Sequence, residues 1–193
     1  MLANLFAFGN RKYINNAVVT ADILSYITST YGDVKNFRLH FRKPFFTQGN
    51  LVVAPYKLDG HFVGQFEIDY VPMYFAYSPT DIPLETKEVS VDDVQADINI
   101  FSMCYFVAEN CHQAVLRAFE KNYGPRTADD KSIFVIYEIP NTSVFTKLIQ
   151  EKRIPNLTIS EPEITAERKF KLSVSVDGEL LGYRYNTVKK FIL

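Results

Sequence analysis

The chain contains no tryptophan, two cysteines, three histidines and almost no net charge, 21 basic residues standing against 22 acidic ones for a formal charge of -1. Each scarcity removes a class of protein. Two cysteines cannot build the disulfide framework of a small secreted domain, and a 193-residue chain with 47% hydrophobic residues needs none, since it can bury a sizeable core. His40, His61 and His112 fall at none of the short spacings of a zinc motif. Balanced charge provides no global field to draw the molecule to nucleic acid or an anionic membrane, so any anion site must be local. No run of about 18 apolar residues occurs, which argues against a membrane-spanning helix. Residues Met1 to Phe8 lack the leading basic charge and small-residue cleavage site of a secretory signal. An intracellular, cytoplasmic location is therefore expected.

The signatures of common chemistries are missing too. There is no Gly-x-Ser-x-Gly, no phosphate-cradling glycine loop and no His-Glu-x-x-His. Cys104 and Cys111, seven apart on an expected helix, share one stripe with Ala108 and Val115 and read as buried reduced thiols. Cys111 and His112 point about 100° apart on a helix and cannot form a dyad. Asp69 with Glu85 and Lys87 has the residue types of a metal-dependent nuclease, but the latter two fall in a proline-rich stretch rather than on a rigid strand. The acidic run Asp92, Asp93 and Asp97 reads as a solvated helix start. No catalytic, cofactor-binding or metal-binding residue is assigned, and no cofactor is expected.

What is present is strand signal and turn chemistry. Aromatic residues make up 15% of the chain, all Phe and Tyr, which suits pleated surfaces. Leu58-Asp59-Gly60-His61-Phe62-Val63-Gly64 and Val176-Asp177-Gly178-Glu179-Leu180-Leu181-Gly182 each read as an Asp-Gly hairpin of type I′. Around them the order of elements repeats. A helix capped at Thr20 and carrying Ile23, Leu24, Ile27 and Tyr31 ends at Gly32, and Phe37 to Arg42 then alternates as a strand. Leu51 to Leu58 leads into the first Asp-Gly, and Phe62, Phe66, Ile68 and Tyr70 line one face of the return strand.

The second round begins with a helical stripe from Val91 to Phe119, helical at least from Phe101 to Tyr123, which Gly124 and Pro125 end; Ile133 to Pro140 is its strand. Ser90 with Asp93 resembles a cap for that helix. Ser143 to Arg153 reads as an inserted short helix, and Ile154 to Glu163 as a proline-broken stretch. Val71 to Val89, with Pro72, Pro79 and Pro83, reads as an irregular connector.

The expected architecture is therefore α+β, a strand-rich single domain over residues 1–193. It has possible pseudosymmetric helix-plus-three-strand units at 13–70 and 90–193, antiparallel hairpins, and a connector at 71–89. Shared turn chemistry explains the match better than duplication does. In element order alone the repeat resembles the sliding-clamp domain, a topological analogy that gives no residue a role.

The best local cationic surface is Arg38, His40, Arg42 and Lys43, the first three on one strand face, with Phe45 and Phe46 following. Such a basic and aromatic strand could bind an anion or single-stranded nucleic acid. Three functions are carried forward. The first is a non-enzymatic interaction or structural protein working through a protein partner or self-association, its Phe, Tyr, Ile and Asn content suiting a virus or phage genome. The second is a nucleic-acid-binding module on residues 37–46. The third is an enzyme whose site gathers dispersed residues such as His40, Asp69, Tyr137 and Glu138.

Overall fold

Asn15 opens the first helix, α1 (Asn16–Tyr31), its side-chain oxygen accepting from the Ala17 amide at 2.8 Å. Thr20, expected as the cap, lies inside the helix and is buried, its hydroxyl donating back to the Asn16 carbonyl at 2.7 Å. Ala17, Val18, Val19, Thr20, Ala21, Ile23, Leu24 and Ile27 are all buried. Such all-round burial marks a helix covered on more than one side.

The computed structural model describes residues 6–8, 15–43, 46–88, 97–153 and 156–190. Its strands are β1 (Phe6–Phe8), β2 (Lys35–Phe41), β3 (Thr47–Ala54), β4 (Phe62–Ile68), β5 (Val71–Pro83), β6 (Glu85–Lys87), β7 (Asp130–Asn141), β8 (Leu157–Ile159), β9 (Glu163–Ala166), β10 (Lys169–Val176) and β11 (Glu179–Lys190). Two further helices are α2 (Ile100–Tyr123) and α3 (Ser143–Glu151). Asn99 caps α2 in a reciprocal box with Ser102. The expected cap at Ser90 and Asp93 lies outside the described residues.

Nine strands form one antiparallel sheet in the order β3-β5-β4-β2-β7-β11-β10-β8, with β9 on the same edge of β10 as β8. The strand-rich α+β domain expected from the sequence is what the chain forms. Phe37, Leu39, Phe62, Phe66, Phe75, Phe170, Leu172 and Val174 line the sheet's inner face, where α1 and α2 join one core. At the centre of the sheet β2 pairs with β7, and Phe41 meets Phe134 edge to face at 4.4 Å across that junction. Outward from it the strands run β2, β4, β5, β3 on one side and β7, β11, β10, β8 on the other. Spatial positions match across the junction, but the chain visits them differently: β10 and β11 follow the edge strands as a meander, whereas the chain leaves β3 and crosses β5 to reach β4.

That crossing corrects the reading of Asp59-Gly60. The dipeptide closes no hairpin, because β3 and β4 are not neighbours, and neither residue has positive φ. Residues 55–61 instead pass over β5. A Cβ on Gly60 would lie 3.0 Å from the Tyr77 carbonyl and 3.2 Å from the Ala76 side chain, so glycine serves close approach here. The hairpin of this half is β4–β5, where Asp69 (φ 50) and Tyr70 (φ 67) are the two central residues between Ile68 and Val71. Asp177 (φ 50) and Gly178 (φ 84) fulfil the expected turn between β10 and β11.

Residues 71–83, expected as an irregular connector, form strand β5, so each long helix is followed by four strand positions instead of three. The prolines fit because β5 is paired on both sides only in part. Pro72 lies where β4 alone pairs with it, and Pro79 and Pro83 lie where β3 alone does. A missing N–H is tolerated facing an unpaired side. Similarly, the stretch expected to be broken after residue 153 supplies the edge strands β8 and β9.

Candidate functional site

Asp22 is the single acid of α1, set in the run Val18-Val19-Thr20-Ala21-Asp22-Ile23-Leu24. It lies half-buried at the margin of the helix face that continues outward through the exposed Ser25 and Ser29. Burial pushes its carboxyl up from the ordinary value to about 6. Among the described residues no cation pairs with it. Tyr77, fully buried on the inner face of β5, senses this carboxylate: burial first, then the Asp22 charge, raises its phenol, which therefore stays neutral. A carboxylate that exchanges a proton near neutrality beside a neutral phenol can act as a general base.

The residues anticipated from the sequence are placed otherwise. Arg38, His40 and Arg42 do alternate outward along β2 and its end. Arg38 pairs with Glu138 at 3.1 Å and Arg42 with Asp59 at 2.6 Å. The His40 imidazole is shifted down by partial burial and then by Arg42 and Arg38. Lys43 and Phe46 are exposed, and Phe45 lies outside the described residues. The dispersed set is not brought together: Tyr137 is inside the core, His40 and Glu138 lie on the outer sheet face, and Asp69 is in the β4–β5 turn. Glu85 and Lys87 belong to β6, which pairs in parallel with β1 in a separate ribbon. Cys104 and Cys111 are free and buried on α2. Among the described residues no three His, Cys, Asp or Glu side chains group to hold a metal, and no helix is long and apolar enough to cross a membrane. Two shallow cavities of about 320 and 260 Å³ open elsewhere, one by His112 and Lys131 and one by Asp33 and Glu179.

The class this architecture defines is a strand-rich α+β fold in which one sheet wraps two long helices packed together. No protein-family model and no curated protein sequence matches the chain. Solved structures do. The tesB protein of Mycobacterium avium subspecies paratuberculosis aligns over 96% of this chain and 91% of its own, at 10% identity and a TM-score of 0.50. An acyl-ACP thioesterase from Bacteroides thetaiotaomicron covers 98% of this chain and 96% of its own, also at 10% identity, with a TM-score of 0.43. The fold is hotdog-like, similar to that of the tesB protein. This likeness is the finding that overturns the expectation of a non-enzymatic structural or interaction protein of viral type. Sequence reasoning missed Asp22 because it looked for named motifs. The available signal was one acid in a helical stretch, residues 17–24, that is otherwise apolar except for Thr20.

Proposed function

We propose that the chain is a hydrolase of acyl thioesters with Asp22 as general base. The observation that carries this reading is the half-buried Asp22 carboxyl, raised to about 6, on the first long helix of a hotdog-like fold. In the reaction Asp22 takes a proton from water, and the resulting hydroxide attacks the thioester carbonyl carbon. The tetrahedral intermediate then collapses with cleavage of the C–S bond, and the proton on Asp22 passes to the departing thiolate. A base with a pKa close to the working pH combines the required ionisation with a useful driving force. The open face through Ser25 and Ser29 offers the approach to Asp22.

Release of free thiol from a series of short- to long-chain acyl-coenzyme A substrates tests this. Turnover is expected to rise with pH through about 6 and to fall by about 100-fold or more in Asp22→Asn, with thermal stability retained. Thiol release no faster than the uncatalysed background across the series, or an Asp22→Asn variant as active as the parent, overturns the assignment.

A further inference from the structure

Arg184, on the inner face of β11, is 2% exposed, and its Nε makes no hydrogen bond. Its guanidinium lies 3.8 Å from the centroid of the Phe134 ring and 5.0 Å from that of Tyr137. No Asp or Glu pairs with it among the described residues. Stacking on two aromatic faces offsets part of the cost of burying a cation. An unpaired charge in a protein interior is still expensive.

The surrounding groups supply no negative charge. Burial pushes the Cys104 thiol up to about 12 and the Cys111 thiol up to about 11, against the opposing pull of Arg184, so both stay protonated. Tyr137 is raised far above its ordinary range by burial, and its hydroxyl, fully buried, has no hydrogen-bond partner. Two residues beyond Arg184, Asn186 donates from Nδ2 to the Ser132 hydroxyl at 2.9 Å, while its Oδ1 has no partner. Exchanging the amide's oxygen and nitrogen keeps the Ser132 bond, with the hydroxyl now donating, and puts an N–H where Oδ1 stands. Arg184 and Tyr137 are register partners on β11 and β7, and Asn186 is opposite Phe134. Three unsatisfied polar groups thus lie on adjacent strands under α2, where Cys111 hydrogen-bonds Arg184. Buried polar groups are nearly always partnered, by protein, water or an ion.

We propose that this cluster of buried, unpartnered polar groups between α2, β7 and β11 binds a small monovalent anion of halide or formate size. Arg184 supplies the charge and an Nε–H donor, and the Tyr137 hydroxyl a second donor; Asn186, amide exchanged, supplies a third. Charge-assisted bonds of this kind are the strong ones, and an anion would neutralise the one isolated charge of this part of the core. The inference is independent of Asp22 and of thioester chemistry.

The test is thermal unfolding in graded sodium bromide and sodium formate, against sodium sulfate at matched ionic strength, together with diffraction from bromide-soaked crystals at the bromine edge. Expected are a saturable rise of several degrees in Tm with bromide and formate but not sulfate, loss of that rise in Arg184→Met, its partial retention in Arg184→Lys, and an anomalous peak beside Arg184. The wild-type crystal keeps the proposal testable even if Arg184→Met fails to fold. An anion response identical in Arg184→Met, or crystals with no anomalous peak beside Arg184, overturns it.

Discussion

At the residue scale, the role proposed for Asp22 implies a trade between stability and use. Its carboxyl is raised in the folded chain to about 6 from an ordinary value of 3.8, so the folded state favours the protonated form. The stability linked to that preference is complete below about pH 4 and disappears as pH rises through about 6. Asp22→Asn, uncharged throughout, should match the parent near pH 4 and exceed it by on the order of 3 kcal/mol at pH 7. Urea unfolding of both proteins from pH 4 to 7 checks this, and parallel curves would remove the ionised carboxylate as a source of strain. A residue whose removal stabilises the fold while stopping turnover is what a catalytic site predicts. No motif in the sequence marks Asp22 or Arg184. Each is a charged residue among largely uncharged neighbours, and its burial depends on elements distant in the sequence: Arg184 is enclosed by α2 and β7.

Among elements, those governed by local periodicity were legible: α1 through Tyr31, α2 from Phe101 to Tyr123, α3 from Ser143, the alternation along β2 and β4, and β7 as a strand. Those governed by partners were not. The prolines of β5 look disruptive until the staggered ends of β3 and β4 are known. Asp59-Gly60 has the composition of a hairpin but crosses a strand, whereas Asp69-Tyr70 lacks a glycine and forms the turn. Tyr70 holds φ 67 at 88% exposure, with Lys35 lying 5.7 Å from its ring. A non-glycine residue in the left-handed region costs about 1 kcal/mol, and an exposed cation–π contact returns only about half of that. Tyr70→Gly should therefore raise stability by some tenths of a kcal/mol up to about 1, measured as an increased urea midpoint with unchanged slope.

For the whole molecule, the continuous sheet makes the halves interdependent. The β2–β7 junction carries Arg38 opposite Glu138, and on either side a glycine permits close approach: a Cβ on Gly64 would overlap the Arg38 carbonyl at 2.1 Å, and one on Gly182 the Glu138 carbonyl at 2.1 Å. Asn16 of α1 donates to the Phe134 carbonyl at 3.1 Å, and the Val34 amide donates to the Thr142 hydroxyl at 2.9 Å. Fragments 1–88 and 97–193, expressed separately, should each lack a cooperative unfolding transition and regain one when mixed, as followed by circular dichroism. A fragment that unfolds cooperatively alone would show that its half of the core suffices. The unequal wiring of the two halves also has a consequence in time. In the second half β9, β10 and β11 are joined by two-residue turns, so their pairing closes only short loops and can precede the rest. In the first half residues 55–61 can settle over Ala76 only after β5 has found β4, which makes the crossover a late event. Substitutions at Leu172 and Val174 should slow refolding, while those at Ala76 should chiefly hasten unfolding; stopped-flow measurements showing the reverse would place the nucleus in the first half. On this reading the order of folding follows from the different connections of two halves that each hold four strand positions in one sheet.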